Sequence, residues 1–211
     1  MTKPIEKEDL LTVTTAPVEA KPLIWTLDRY HQAIDHGILT PEDKVELLFG
    51  QLIPKMPTGE PHSVCLSQLY ELHYDRFGKQ YTYRAQDPVT LPNHSEPEPD
   101  FVVATRKVYS KEHGHPRPED VQLLIEISLR TLRYDRGDKL RSYALAGIRE
   151  YWIINLEHRQ VELHLQPNEA VGDYSLTTIY RSGQRFESPF GGTYTVDELL
   201  PPTPPDAPAP A

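Results

Sequence analysis

The spacing of hydrophobic and polar positions changes several times along the chain, and each change marks an element. Thr26 is a capping residue, residues 27–35 read as a helix behind it, and Gly37 supplies the stop. Two short apolar runs, 45–49 and 52–56, flank Gly50 and predict a pair of strands with a turn between them. Leu66, Leu69, His73 and Phe77 share related faces of a second helix over 62–77, ended by Gly78. Tyr81 and Tyr83 alternate with polar neighbours in a strand over 79–84, and 89–91 predicts a further short one. A strand begins at Asp100, directly after the Pro97-Glu98-Pro99 breaker.

The run 121–127 is apolar except at Gln122 and Glu126, the signature of a strand buried on both faces. In the predicted helix 135–146, Leu140, Tyr143, Ala144 and Gly147 stand at i, i+3, i+4 and i+7, which gives one packing stripe. Strands follow at 150–155 and 160–165, at 174–181 and near Tyr194, and 195–200 closes the pattern as a short helix. Tyr151 and Trp152 read as core residues, although Trp152 falls within a strand pattern in which one aromatic must face outward. The sum is a mixed α/β domain, strands at the centre and helices flanking them.

Composition sets the limits of that domain. Six of the 21 prolines fall in the last 11 residues, so 201–211 reads as an extended tail. Residues 1–22 have no period and read as a loose arm, leaving 23–200 as one domain. No run approaches the roughly 18 apolar residues that span a bilayer. The first 20 residues carry four acids and no apolar leader region, and the single cysteine, Cys65, precludes an internal disulfide. These features point to the cytoplasm, with Cys65 a small core residue. A formal net charge of −9 argues against a surface coated in positive charge for nucleic acid.

The candidate chemistry begins with Glu126, because a carboxylate inside an apolar strand is costly unless it is paired, hydrogen-bonded or bound to metal. Asp100 opens a strand 26 residues earlier, so two acids from neighbouring strands can converge on one side of a sheet. Hard divalent cations take one or two carboxylates and complete their shell with carbonyls, water and substrate phosphate. A lysine beside such a pair would suit attack on a phosphodiester. Lys139 is the candidate: Asp135, Lys139 and Tyr143 stand at i, i+4 and i+8 on the following helix, at the edge of its packing stripe. Asp135 and Tyr143 read as structural supports, and His62 as a helix-start residue able to approach the site. The His113-Gly114-His115 cluster has no cysteine and no second cluster at zinc spacing, and no P-loop, G-x-G-x-x-G or G-x-S-x-G motif occurs.

Glu98-Pro99-Asp100, Leu124-Ile125-Glu126-Ile127-Ser128, Thr131, Asp135-Arg136, Lys139, Tyr143-Ala144, Gly147 and Glu150-Tyr151-Trp152 together resemble the Uma-two family, restriction-endonuclease-like proteins of the PD-(D/E)XK superfamily. The stretch 45–53 followed by His62 resembles the family's early pattern, and 195–200 resembles its closing segment. The likeness covers about 23–200, and its strength lies in the ordered set rather than in any one piece. It implies a restriction-endonuclease-like core, a central mixed sheet flanked by helices. It further implies that Asp100 and Glu126 bind Mg²⁺ or Mn²⁺, that Glu46 is a further acid at the metal, and that Lys139 is the family's lysine. Two features depart from the pattern. The superfamily's simplest motif has lysine two residues after the glutamate, where this chain has Ser128. The loop reads Ser128-Leu129-Arg130-Thr131, without the family's usual proline.

The charge distribution then changes the meaning of −9. Between Leu129 and Arg149 six bases face two acids, a local +4, while the rest of the chain carries −13. The one positive segment adjoins the proposed metal site, and Arg130 and Arg133 are the candidates for holding phosphates. The expectation is a Mg²⁺-dependent endonuclease acting on DNA as a homodimer. Two alternatives are a catalytically inactive nuclease-like module that binds DNA or a partner, and an acidic α/β protein whose acids are only structural.

Overall fold

The computed structural model describes residues 23–202. The predicted arm, 1–22, and all but the first two residues of the predicted tail lie outside them. Helix α1 (Leu27–Asp35) starts where the sequence predicts, with the Thr26 hydroxyl accepting from the Arg29 amide at 3.3 Å. Strands β1 (Val45–Leu48) and β2 (Gln51–Pro54) form an antiparallel hairpin. Its two-residue loop has positive φ at both Phe49 (49°) and Gly50 (72°), the turn that matches the right-handed twist of the strands. Gly50 is also required by packing: a Cβ there would run into the Ile24 side chain and sit 2.9 Å from the Trp25 carbonyl.

Helix α2 (Glu60–Phe77) begins two residues before the predicted start, with Pro61 in its first turn. It buries His62, Cys65, Leu69 and His73 along one stripe. The Cys65 thiol donates to the Leu199 carbonyl at 3.1 Å, and burial, aided by the charge of Asp100, pushes it up to about 12. Cys65 is thus an inert core residue.

Six strands make the central sheet, in the order β3 (Tyr81–Ala85), β4 (Phe101–Thr105), β5 (Val121–Ser128), β6 (Glu150–Asn155), β7 (Gln160–Asn168) and β8 (Asp173–Arg181). All neighbours are antiparallel except β5 and β6, which are parallel. Parallel neighbours need a crossover. Residues 129–149 supply it through α3 (Leu132–Tyr134), a π turn (Asp135–Lys139) and α4 (Leu140–Leu145). A small pair, β9 (Arg185–Glu187) and β10 (Thr193–Thr195), precedes the closing helix α5 (Val196–Leu199).

Two expectations need correction. Residues 89–91 form no strand: Leu91 makes a single bridge to Ser95, and Pro88 and Pro92 on either side withhold the amides that a ladder needs. The helix predicted as regular over 135–146 starts earlier, at Leu132, and widens to the π turn around Gly137, a weak helix former. Tyr151 and Trp152 both fill the core, as the sequence suggests, and neither turns outward because both faces of the sheet are covered. Trp152 packs toward α2 with Phe101, Val103, Leu123 and Ile125, whereas Tyr151 packs toward α4 with Val102, Leu124, Tyr143 and Ile153. Burying each such Leu, Ile or Phe contributes roughly 1.5–3 kcal/mol, so the sheet is a stiff platform for the groups at its edge.

Candidate active site

The register of β4 and β5 brings the two sequence-predicted acids together. Phe101 pairs with Ile125, which sets Asp100 beside Glu126 at the same end of the ladder. The Ile127 amide donates to Asp100 Oδ2 at 2.8 Å, and the Asp100 amide points at Glu126 Oε2 from 3.4 Å. Each acid is therefore held by its neighbour's strand. Glu126 points toward α4, where Lys139 Nζ donates to Oε1 at 2.9 Å and the Tyr143 hydroxyl to the same oxygen at 2.6 Å. Lys139 also reaches Glu46 Oε2 at 3.1 Å. Glu46, on β1, accepts from the Glu98 amide at 2.9 Å and from the Tyr134 hydroxyl at 3.0 Å. From the first turn of α2, His62 Nε2 lies 2.8 Å from Asp100 Oδ1. The site thus joins β1, α2, β4, β5 and the crossover.

These groups are sequestered: Glu46, Glu126 and Lys139 are each 4% exposed. Burial would drive the Lys139 ammonium toward neutrality, but the charges of Glu126 and Glu46 overcome it and hold its pKa well above the lysine range. Burial likewise pushes the Glu126 carboxyl well above the carboxylate range, and the charges of Asp100 and Asp135 add to the rise against the pull of Lys139 and Tyr143. At Asp100 burial is outweighed by the His62 hydrogen bond and charge, the Ile127 amide and Lys139, so its pKa falls below the usual value. Asp100 is ionised and Lys139 is charged. Burial, with the charge of Glu126, raises the Tyr143 hydroxyl well above its ordinary range and keeps it a donor.

Asp135 is a support, as predicted, but not on the face expected for it. Asp135 does not align with Lys139 on Glu126. Its Oδ2 accepts from the Ser128 and Thr131 hydroxyls at 2.5 and 2.6 Å, which ties the π turn to the end of β5. Ser128, at the position of the superfamily's usual lysine, is thereby used as an anchor. Arg130 and Arg133 lie exposed on the segment leaving β5. The +4 segment is less free than its sequence implies: Arg136 forms a two-pronged pair with Glu162, both bonds at 2.7 Å, and Lys139 is taken up by the carboxylates. Lys139 is also more deeply buried than the interface edge predicted for it.

Tyr134 is the contact that sequence reasoning missed. Five residues separate it from Lys139, a spacing that an α-helix places on different faces and a π turn brings onto one. The Lys139 ammonium lies 5.8 Å from the centre of the Tyr134 ring. Gly137, in the middle of a predicted helix, is the one sequence signal that could have suggested the irregularity.

The donor set fits a hard divalent cation. Glu46, Asp100 and Glu126 against Lys139 leave a formal charge of −2 in a closed space, and Glu126 Oε2 has only the long contact to the Asp100 amide. Among the described residues no three carboxylates or imidazoles converge as a ready cage. Lys139 stands between Glu46 and Glu126, so Asp100 and Glu126 are the two carboxylates left that could hold such a cation.

The chain matches the Uma2 family model, described as "Putative restriction endonuclease", over residues 27–195. No curated protein matches it. A solved structure titled a putative nuclease belonging to DUF820, from Anabaena variabilis, superposes with a TM-score of 0.64 at 16% identity, covering 84% of this chain and 97% of that one. The type IIG restriction endonuclease BpuSI aligns with a TM-score of 0.34 at 16% identity, over 56% of this chain and 13% of its own. The fold is that of the Anabaena protein, and the match over most of the described residues places the chain in the Uma2 family of restriction-endonuclease-like proteins.

Proposed function

We propose that the protein is a divalent-metal-dependent endonuclease that hydrolyses phosphodiester bonds in DNA. The observation that carries this reading is the meeting of Asp100 and Glu126 from adjacent strands, with Lys139 donating to Glu126. Asp100 and Glu126 would hold Mg²⁺ or Mn²⁺, with Glu46 a further carboxylate near it. When bound, such an ion polarises a phosphate oxygen and lowers the pKa of a coordinated water. His62 keeps Asp100 oriented and ionised through their 2.8 Å contact. Lys139 holds a protonated head beside Glu126, where it orients an attacking water and meets the charge that grows on the phosphorane. Tyr143 fixes the Glu126 rotamer, and Asp135 fixes the turn that carries Lys139. Arg130 and Arg133 meet the flanking phosphates from the exposed side. We assign the activity to the cytoplasm, since the chain's one cysteine is buried and unpaired. We assign it to a homodimer, since two-fold symmetry supplies one centre for each strand of a duplex.

The test is cleavage of plasmid DNA in Mg²⁺ and in Mn²⁺. Asp100→Ala and Glu126→Ala should each reduce cutting to background while the circular dichroism spectrum stays that of the unaltered protein. Undiminished cutting by both variants sinks the assignment. One observation favours the second reading, an inactive nuclease-like binding module. Lys139 is satisfied by two carboxylates in a closed site, and two clefts of ≈ 460 Å³ on the surface lie elsewhere. That module would bind DNA without turnover in either metal.

A further inference from the structure

The cleft of ≈ 460 Å³ at the outer edge of the sheet has a lining that the proposed metal centre does not use. Its outer wall is Tyr70 and Tyr74, one helical turn apart on α2, with rings parallel to within 9° and centroids 6.4 Å apart. They are 45% and 42% exposed, large for aromatic residues on a helix whose other face packs into the core. The inner wall is fixed. The Tyr83 hydroxyl donates to the His73 and Gly78 carbonyls at 3.2 and 3.0 Å, and its ring stacks on Phe101. Tyr81 packs edge-on against Phe77 and Phe190. Three cations rim the cleft: Lys79 and Arg106 are exposed, and Lys107 is tied to Asp120. Arg106 donates to the Lys79 carbonyl, which joins the two segments of the rim.

Rings offered to solvent beside exposed cations suit a polyanion with flat apolar units. Unpaired nucleobases stack on such rings, and the phosphates between them meet the cations. A duplex hides its base faces and has no use for the tyrosines. We propose that this cleft binds a single-stranded segment of nucleic acid, its bases on Tyr70 and Tyr74 and its phosphates on Lys79 and Arg106. The cleft lies past the C-terminal end of β4, whereas Asp100 precedes that strand. At the rise of an extended chain Arg106 is about 20 Å from Asp100; Tyr70 and Tyr83 come nearer, packed on Phe101, but no residue that lines the cleft belongs to the proposed metal centre. The size fits, since sites for ligands of nucleotide scale span roughly 300–1,000 Å³.

The test measures binding of labelled oligonucleotides by anisotropy, with the full chain and a chelator present, so that it stays independent of any cleavage. The probes are a poly-dT and a poly-U of about 12 nucleotides and a blunt duplex of equal length. We expect the single strands to bind better than the duplex, and the two homopolymers together report whether DNA or RNA is preferred. Tyr70→Ala/Tyr74→Ala should weaken single-strand binding by roughly ten-fold or more, and Tyr74→Trp, which keeps a ring, should retain it. Lys79→Glu/Arg106→Glu should lower the slope of log affinity against log salt by about 1.4. Preference for the duplex, or wild-type binding by the tyrosine double variant, overturns the proposal. A dead metal centre leaves every one of these binding results standing, so the two readings fail separately.

Discussion

The strands of the central sheet present two faces of opposite character. Toward α2 they offer Phe101, Val103, Leu123, Ile125, Trp152 and Ile154, all fully buried and wholly apolar apart from the indole N–H. Toward α4 the same strands offer Val102, Leu124 and Ile153, but also Glu126 and Tyr151, and the crossover answers with Lys139 and Tyr143. Burial is equal on the two sides. The α2 side also buries one acid, Glu150, but it accepts only from neutral donors, the Trp152 indole, the Ser188 hydroxyl and the Phe190 amide, whereas the α4 side sets a lysine against carboxylates. Charges held in such a space cost stability rather than adding to it, unless something other than folding retains them. The α2 face is therefore the platform, and the α4 face is the one on which the proposed chemistry would be performed.

The sharpest way to break this division is to exchange the properties tested on each face. Glu126→Gln keeps the shape of the α4 face and removes one of its carboxyl groups. Metal-dependent cutting should fall to background, while the denaturant midpoint moves little, because Lys139 retains Glu46 as a partner. Trp152→Ala does the reverse. It should cost about 3–5 kcal/mol of stability, measured by urea unfolding, and leave the cutting rate per folded molecule unchanged. An unfolded Glu126→Gln, or a folded Trp152→Ala with no activity, would erase the distinction.

Acid sharpens the comparison further, since each face buries one neutral histidine. His73 stands among Phe101, Trp152 and Tyr194 on the α2 side, and His164 stacks on Tyr151 on the other. Burial lowers both to about 4. The unfolded chain, titrating near 6.5, binds more protons than the folded one between those values. The stability that each neutral imidazole contributes is present in full above pH ~6.5. It is lost as the pH falls toward 4, by about 3 kcal/mol for each histidine. Unfolding followed from pH 7 to pH 4 should show this slope, and His73→Phe should remove about half of the histidine contribution. An unchanged slope in that variant would mean that His73 is not held neutral.

Much of the platform was legible because burial leaves a period. The nearly continuous apolar run of β5 announced a strand covered on both sides, and Glu126 stood out because that run made it anomalous. Asp100 was legible as a strand-start residue behind Pro99, although only the Phe101–Ile125 register sets it beside Glu126. The π turn was not legible. Gly137 hints only at a weak point; the turn is held by Asp135 accepting from Ser128 at the end of β5, a tertiary contact with no sequence period, and it places Tyr134 and Lys139 on one face, both within reach of Glu46. The strand expected at 89–91 failed for the opposite reason: its apolar residues serve the core, and the flanking prolines, local and visible, deny it a ladder.

The smallest expected effect tests whether the α4 face is organised or merely polar. Tyr143→Phe removes one hydroxyl from a fully buried ring and nothing else. If Tyr143 only fills space, the change is nearly silent. In the geometry observed, its 2.6 Å hydrogen bond fixes one oxygen of Glu126 alongside Lys139 and leaves Oε2 directed toward Asp100. Losing it frees the Glu126 rotamer, so the pairing of the two carboxylates loosens. Groups that orient metal-binding carboxylates typically account for about 10- to 100-fold in affinity or activity. The Mn²⁺ concentration for half-maximal cutting should rise by that order. A control at Tyr151, whose hydroxyl donates to the Asp135 carbonyl rather than to an acid of the site, should leave the Mn²⁺ requirement where it was. An equal shift in Tyr143→Phe and Tyr151→Phe would show that the α4 face responds to any lost hydroxyl. A shift confined to Tyr143 would tie the polarity of that face to the placement of Glu126.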